Sequence, residues 1–200
     1  MITGFKSRLI CTLVRIVLFF YHPILRVIGR ENLPSEGSYL LCPNHCGMAD
    51  PFWVVVAMKK DFIPRIMAKK ELMDIPVLGW ALRKIGVFGV DRGGADVNAV
   101  KQGIRCLRDG QPLLIFPEGT RVKEGKRIDP KGGAILLANR TDKPIVPVYI
   151  TTNRRPFCPV TCIYGEPYKP DFGGEKPTEE QLLQASRELM DRIYKMGEAQ

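Results

Sequence analysis

The amino-acid sequence predicts an α/β fold, in which one domain is built on a mostly parallel sheet covered by helices and an amphipathic helical segment precedes it. Short apolar runs that suit buried strands alternate with helical stretches, and this alternation is typical of parallel sheets. The length of 200 residues and the 45% hydrophobic content suit one globular core. We therefore expect a helical segment over residues 1–28 and the α/β domain over residues 29–200.

The apolar run at the amino end, residues 9–21, is interrupted by Thr12 and Arg15. It is too short to cross a bilayer, which needs about 20 apolar residues. On a helix, one stripe beside a wide apolar face holds Arg8, Thr12, Arg15, His22, Arg26 and Arg30. Pro23 should split this helix into two amphipathic pieces. The pattern predicts an element at the headgroup boundary of a membrane, and the alternative is a helix docked on the protein's own core.

The first half of the domain shows clear element boundaries. We expect strands at 38–42, 62–68 and 85–90 and helices at 50–58 and 76–84. The strand segments are short apolar runs such as SYLLC. Asp50 supplies a helix N-cap, and Pro51 and Pro76 suit the first turns of the two helices.

The second half continues the alternation. We expect helices at 96–107, 132–139 and 179–196 and strands at 112–116, 144–150 and 160–164. Asp96 is a helix N-cap, and Gly110 ends the helix that begins there. Thr178 and Gln181 have the spacing of a capping box at the start of the last helix.

The composition restricts the classes of partner. Thirty Lys and Arg residues against 21 Asp and Glu residues leave a formal net charge of +9, which favours nucleic acid, an anionic membrane surface or phosphorylated small molecules. No signal-peptide cleavage site follows the apolar amino end. Six cysteines in a chain of this size then indicate reduced thiols and an intracellular protein.

A histidine and an aspartate follow the predicted strand SYLLC, in the segment PNHCGMADP. The four residues between His45 and Asp50 let the chain reverse, so the two side chains can meet. An aspartate that accepts from one imidazole nitrogen leaves the other nitrogen free to take a proton from a hydroxyl, which is a general-base dyad. The alternatives are that Asp50 only caps a helix beside an incidental histidine, or that Cys46 acts as a thiol nucleophile.

Three further segments end or form predicted strands. FPEGTR, residues 116–121, puts a carboxylate, a glycine, a hydroxyl and a guanidinium on one turn, which suits an oxyanion; the alternative is a polar turn with an internal Glu118–Arg121 pair. GVFGVDR, residues 86–92, ends in Arg92. VPVY, residues 146–149, is an apolar strand that suits a core.

Taken in order, the blocks NHCGMAD, GVFGVDR, FPEGTR and VPVYI resemble the glycerolipid acyltransferase family, in particular the bacterial 1-acylglycerol-3-phosphate acyltransferases. The resemblance covers about Gly29 to Gly165. It implies the glycerolipid acyltransferase fold and transfer of a fatty acyl group from acyl-CoA or acyl-carrier protein to 1-acylglycerol-3-phosphate, which forms phosphatidic acid. Glycerol-3-phosphate or another lysophospholipid is the alternative acceptor.

The same resemblance implies roles for single residues. His45 would deprotonate the acceptor hydroxyl and Asp50 would orient it, with no covalent enzyme intermediate. The acceptor phosphate would bind Arg92, Arg121 and Lys69. The substrate would be positioned by Glu118, Gly119 and Thr120, with backbone N–H groups near Gly119 as an oxyanion site. Neither a cofactor nor a metal ion is implied.

These inferences place the protein at the cytoplasmic face of a membrane, as a peripheral or monotopic protein. The expected partners are lysophosphatidate, the acyl thioester and an anionic membrane surface, with acyl-carrier protein as one candidate donor. Nucleic acid is not an expected partner. Two other classes stay open. One is a metal site at the cysteine pairs Cys42/Cys46 and Cys158/Cys162, and the other is a non-catalytic basic module that binds membranes.

Overall fold

The computed structural model describes residues 2–91, 96–152 and 157–198. The strands are β1 (Ile2–Thr3), β2 (Leu25–Ile28), β3 (Leu40–Pro43), β4 (Phe62–Ile63), β5 (Arg65–Lys69), β6 (Val87–Val90), β7 (Leu113–Leu114), β8 (Ile145–Ile150) and β9 (Val160–Tyr164). The helices are α1 (Gly4–Phe19), α2 (Asp50–Met58), α3 (Glu71–Asp74), α4 (Pro76–Lys84), α5 (Val97–Arg108), α6 (Gly133–Thr141) and α7 (Glu179–Glu198), with a short 3-10 helix at Arg30–Asn32.

Seven strands form one sheet in the order β2-β9-β8-β3-β7-β5-β6. The five strands from β8 to β6 run parallel, β9 is antiparallel to β8, and β2 is parallel to β9. The prediction of a mostly parallel sheet in one α/β domain is therefore confirmed. β1 and β4 form a separate two-stranded antiparallel pair.

Helices cover both faces of the sheet, so the strands are buried and apolar. Side chains of α2, α3 and α4 join the core cluster on one face, together with Leu18 at the end of α1. Side chains of α5, α6 and α7 join the cluster on the other face. The central strand β3 is buried along its whole length, which explains its continuous apolar run.

The predicted boundaries of several helices are confirmed. α2 and α4 span 50–58 and 76–84 as expected. Asp96 caps α5, since its carboxylate accepts from the backbone N–H of Ala99 at 2.9 Å. Thr178 and Gln181 exchange hydrogen bonds as a capping box before α7.

Two local expectations in the first half differ from the structure. The predicted strand at 62–68 is divided into β4 and β5 at Pro64, which has no N–H to donate to a ladder. α3 is an additional helical turn that the sequence pattern did not predict. α3 packs closely on α4, and the two helices meet at Gly79. An added Cβ at Gly79 would lie only 2.1 Å from the carbonyl oxygen of Met73.

The second amphipathic piece expected after Pro23 is wrong. α1 ends at Phe19, and residues 25–28 form the strand β2 at the edge of the main sheet, so they belong to the sheet rather than to the helical segment. His22 is also not on a solvated stripe. It is buried, its Nδ1 donates to the carbonyl of Cys158 at 3.0 Å, and its ring meets Trp53 edge-on. Tertiary contacts with β9 and α2 outweigh the local helical pattern here.

α1 confirms the amphipathic helix expected at the amino end. Ser7 is buried and Leu18 packs on the core, but most of the apolar side chains of this helix face solvent. The exposed ones are Phe5, Leu9, Leu13, Ile16, Val17 and Phe19. Among the described residues, no helix has the length and apolar character that crossing a membrane requires.

Candidate active site

The two main motifs meet at the carboxyl edge of the parallel strands. β3 leads through His45 into α2 on one face of the sheet, whereas its neighbour β7 leads through Glu118 towards α6 on the other face. Connections that leave adjacent strands towards opposite faces open a crevice at this edge, and ligands of open α/β sheets bind in such crevices. The topology thus brings together segments that lie 73 residues apart in the chain.

Asn44 determines where the chain leaves β3. Its buried side chain bridges to the end of β8: Nδ2 donates to the carbonyl of Ile150 at 2.9 Å, and Oδ1 accepts from the N–H of Ile150 at 2.7 Å. Both bonds replace the backbone pairing that would continue the ladder. The turn that carries His45 therefore starts from a rigid position.

His45 and Asp50 form the predicted pair. The imidazole Nδ1 lies 2.8 Å from Oδ2 of Asp50, which also accepts the backbone N–H groups of Cys46 at 2.7 Å and Gly47 at 2.8 Å. Asp50 is fully buried. The alternative in which it merely caps a helix is wrong, because Asp50 is the first residue of α2 and its carboxylate turns back to the preceding loop.

Residues 116–122, which include the FPEGTR segment, make three contacts with His45. Glu118 Oε2 accepts the N–H of His45 at 2.5 Å, and the N–H of Val122 donates to the carbonyl of His45 at 2.8 Å. The His45 ring also stacks on Phe116, with the ring centroids 4.0 Å apart. With Nδ1 donating to Asp50, these contacts leave Nε2 as the nitrogen that can accept a proton.

Glu118 is a buried carboxyl group with partners on both oxygens. Oε1 accepts from the hydroxyl of Tyr194 on α7 at 2.5 Å, and Oε2 accepts from His45. Burial raises the pKa of Glu118, and the charge of Asp50 raises it further, against the opposite effect of the two hydrogen bonds. Glu118 does not pair with Arg121 in the structure, so the alternative of an internal ion pair in this turn is wrong.

Gly119 shapes the turn through its backbone. Its φ is +67°, and an added Cβ would lie 3.1 Å from Cγ of Lys131. Its N–H donates to the carbonyl of Phe116 at 3.0 Å, which closes a β-turn with Pro117 at the second position. The Gly119 N–H is therefore already used within the turn, and an oxyanion site at the backbone N–H groups near Gly119 stays a prediction.

Of the other predicted binding residues, three lie along the same edge: Thr120, Arg121 and Lys69. Thr120 and Arg121 are exposed beyond the Gly119 turn. Within the described ranges, the Arg121 guanidinium has no hydrogen bond or ion pair. Lys69 ends β5 and pairs with Glu71 at 3.0 Å, with half of its side chain exposed. Arg92 lies outside the described residues.

The cysteines, which all lie within the described residues, form no disulfide bond. All six are free, and burial raises the pKa of Cys42 and Cys162 in the strands. Cys46 Sγ lies 3.8 Å from the carbonyl of Thr151, whereas the His45 ring turns to Asp50. In the part of the chain that the structure describes, no group of three or more His, Cys, Asp or Glu side chains could hold a metal ion.

Three residues that support the site were not assigned a role from the sequence. Asn44 lies in the segment that carries His45, and Phe116 lies in the FPEGTR segment that carries Glu118. Their closeness in sequence to these residues could have indicated that they support the site. Tyr194 lies beside the buried apolar face of α7, where its ring packs on the core, 76 residues after Glu118. No local pattern connects these two positions.

Comparison with known proteins finds similar acyltransferases. The family model described as Acyltransferase matches residues 24–151. The chain is 30% identical over 181 residues to a 1-acyl-sn-glycerol-3-phosphate acyltransferase of Bacillus subtilis (86% of this chain, 87% of the relative). It is 36% identical over 124 residues to the enzyme of that name from Streptococcus pneumoniae (60% and 45%).

A solved structure shares the fold. The 1-acyl-sn-glycerophosphate (LPA) acyltransferase PlsC from Thermotoga maritima superposes with a TM-score of 0.71 at 24% identity, covering 97% of this chain and 82% of that chain. The chain spans most of the Bacillus relative but about half of the one from Borreliella burgdorferi. From the family match over residues 24–151 and the similarity to the Bacillus protein over 86% of this chain, we conclude that this chain belongs to the acyltransferase family.

Proposed function

We propose that this protein transfers a fatty acyl group from an acyl thioester to the free hydroxyl of 1-acyl-sn-glycerol-3-phosphate, forming phosphatidic acid. The curated relatives from Bacillus, Borreliella and Streptococcus carry this activity in their names. The observation that carries the proposal is the contact of 2.8 Å between His45 Nδ1 and buried Asp50 at the crevice of the sheet. It prepares one imidazole nitrogen to act as a base.

In the proposed reaction, His45 Nε2 removes the proton of the acceptor hydroxyl as the oxygen attacks the thioester carbonyl. A C–O bond forms, the C–S bond breaks, and the proton held by His45 passes to the leaving thiolate. Asp50 stabilises the transient imidazolium. The three donors on Asp50 hold its carboxylate aligned for this role.

The acceptor phosphate is proposed to bind Arg121 and Lys69 at this edge, together with Arg92. Arg121 supports this role best, since it is exposed and its guanidinium has no partner among the described residues. Its planar fork suits bidentate binding of phosphate. Glu118, Gly119 and Thr120 are proposed to position the substrate, with Glu118 acting through the His45 backbone.

The donor is proposed to be acyl-CoA or acyl-carrier protein, whose thioester is already activated. The proposed reaction needs only a general base and an activated acyl group. We therefore infer that no metal ion or prosthetic group takes part. The net charge of +9 favours either donor, because CoA carries phosphates and carrier proteins are acidic.

We infer that the protein works as a peripheral or monotopic protein at the cytoplasmic face of a membrane. The exposed apolar side chains of α1 and its basic residues Lys6, Arg8 and Arg15 suit insertion at the headgroup boundary. Six free thiols are consistent with a reducing compartment. An anionic membrane surface is therefore a proposed partner.

The test measures free thiol released from a long-chain acyl-CoA in the presence of 1-acyl-sn-glycerol-3-phosphate. We expect His45→Ala to slow release by a factor of roughly 10² to 10⁴, the usual share of a general base. Asp50→Asn should cause a loss of similar size, because it no longer holds the correct tautomer. Cys46→Ala is the matched control and should keep the rate, with circular dichroism showing that all variants are folded.

The outcomes separate the alternatives. Full turnover by His45→Ala would contradict the dyad, and loss of turnover in Cys46→Ala alone would identify a thiol nucleophile. Faster release with glycerol-3-phosphate or another lysophospholipid would replace the acceptor while leaving the chemistry in place. Vesicle binding without transfer to any acceptor would favour the non-catalytic membrane module.

A further inference from the structure

The exposed apolar surface of the protein is strongly uneven. Of the nineteen large hydrophobic side chains that are exposed in the described residues, sixteen lie between Phe5 and Trp80, and the other three are Val97, Ile128 and Phe157. Isolated exposed apolar residues are common on any protein, but a concentration of them marks an interaction surface. α1 accounts for only part of this concentration.

A second group lies on and just before α4. Val77 and Trp80 are 80% and 61% exposed, and Ile75 and Leu78 beside them are also exposed. Val77 and Trp80 are three residues apart, so they share one face of the helix, and Lys84 continues that face four residues later. This stripe points away from the protein.

The opposite side of α4 already provides its contact with the fold. Gly79 is buried against the backbone of Met73, and Leu82 packs on the core cluster. The outward apolar face is therefore not needed to attach α4 to the domain. On the outward face of α4, large apolar side chains such as Trp80 are exposed. Exposed groups of this kind mark surfaces that another molecule covers.

The chemistry of this face suits a lipid headgroup boundary rather than a protein core. The helix ends in Arg83, whose guanidinium donates to the carbonyl of Met73 at 2.8 Å, and in Lys84, whose ammonium lies 5.9 Å from the centre of the Trp80 ring. A tryptophan beside basic residues is the arrangement that membrane interfaces favour, with the ring among headgroups and the cations near lipid phosphates. This charge matches the anionic surface already inferred for α1.

The position of α4 in the fold also matches a single bilayer contact. Leu18 of α1 and Leu82 of α4 pack in the same core cluster, so both helices cover one face of the sheet. On the loop that carries the dyad, Met48 is 71% exposed, and Phe52 follows it at the start of α2. The apolar surface thus includes the neighbourhood of His45.

We propose that α4 is a second membrane-contacting element, with Val77 and Trp80 inserted at the headgroup boundary of an anionic bilayer. This proposal extends the membrane placement in the proposed function, but it is tested by binding alone. Two contacts, at α1 and at α4, orient the domain on the surface. The dyad loop is then presented to lipid acceptors without a spanning helix.

The two tryptophans of the chain make a direct test possible, since Trp80 is exposed and Trp53 is 1% exposed. The full chain is mixed with phosphatidylcholine/phosphatidylglycerol vesicles that contain lipids brominated near the headgroup. We expect bromine to quench Trp80 emission, and we expect Trp80→Phe to abolish this quenching because Trp53 is shielded inside the fold. Flotation of the vesicles shows that the protein is bound in both cases.

A paired substitution measures the contribution to binding. Val77→Ser with Trp80→Ser should lower the vesicle partition coefficient by roughly tenfold or more, given the apolar area removed. Val97→Ser with Ile128→Ser is the matched control, because these residues are exposed and apolar but belong to α5 and to the loop before α6 rather than to α1, α4 or the dyad loop. It should change partitioning less than about twofold.

Three results would overturn the proposal. They are unquenched Trp80 in vesicle-bound protein, equal effects of the two paired substitutions, and a blue shift of Trp80 that depends on protein concentration without vesicles, which would indicate a second copy of the chain instead. The double variant should keep thiol release on detergent-dispersed acceptor. Absence of transfer in the wild type would contradict the proposed function but not the α4 contact.

Discussion

The hydroxyl of Tyr194 donates to Oε1 of Glu118 at 2.5 Å, and this bond connects the last helix to the site. Glu118 in turn accepts the N–H of His45 through its other oxygen. Tyr194 therefore acts as a positioning residue, two hydrogen bonds away from the imidazole. The position of His45 depends on a residue near the carboxyl end of the chain.

We expect Tyr194→Phe to lower the free energy of unfolding by about 1–3 kcal/mol, because a buried carboxyl group loses one of its two donors. The value of kcat should fall roughly tenfold, with KM for the acceptor nearly unchanged, since the base is displaced while the phosphate site is intact. Urea unfolding and steady-state kinetics measure the two effects.

Tyr39→Phe is the matched control for this substitution. Tyr39 is 1% exposed, and its hydroxyl has no hydrogen-bond partner among the described residues. Removing that hydroxyl should lower the free energy of unfolding by less than about 0.5 kcal/mol and leave kcat unchanged. Equal effects of the two substitutions would mean that the Tyr194 bond contributes nothing specific.

The raised pKa of Glu118 makes stability depend on pH in a defined direction. Because the folded state holds this proton more tightly than the unfolded state, the free energy of unfolding falls as pH rises from the ordinary carboxyl range through the raised value. Glu118→Gln cannot titrate. Its stability relative to the wild type should therefore increase with pH.

Urea titrations at a series of values from roughly pH 4 to pH 7 measure this difference. The neighbouring groups Asp50, His45 and Tyr194 are retained in both proteins, so the Glu118 carboxyl is the group that the comparison removes. A difference that stays constant or decreases with rising pH would show that burial does not control the Glu118 proton.

Arg121→Lys should raise KM for 1-acyl-sn-glycerol-3-phosphate roughly tenfold and change kcat much less, because an ammonium replaces a bidentate fork but retains the charge. Arg105→Lys is the control, since Arg105 lies on α5 and pairs only weakly with Asp109 at 3.9 Å. An unchanged KM in the Arg121 variant would remove this residue from the proposed phosphate site.

Gly119→Ala should destabilise the protein by about 2 kcal/mol, from strain at a φ of +67° and from crowding against Lys131. Gly125→Ala has a similar φ of +73° with nothing near its added Cβ, so it should cost only about 1 kcal/mol. The destabilisation by Gly119→Ala exceeds that by Gly125→Ala, and this difference should shrink when Lys131 is replaced by alanine. An excess that persists there would assign the cost to strain alone.

Local signals in the sequence predicted much of the fold. The N-cap at Asp96, the capping box at Thr178 and the proline at the start of α4 depend on contacts within a few residues, so propensity and spacing were sufficient. The strand β2 was missed for the opposite reason. Its partner is β9, which lies more than 130 residues away, and no local pattern carries that information.

The sequence by itself determined the α/β class and the four motif blocks that resemble one family. It also determined the pairing of His45 with Asp50, because these two residues lie within one short loop. Only the tertiary structure decided that Glu118 and Val122 hold the His45 backbone and that Tyr194 holds Glu118. Those contacts join segments separated by more than 70 residues, and they form only when adjacent parallel strands align their carboxyl ends.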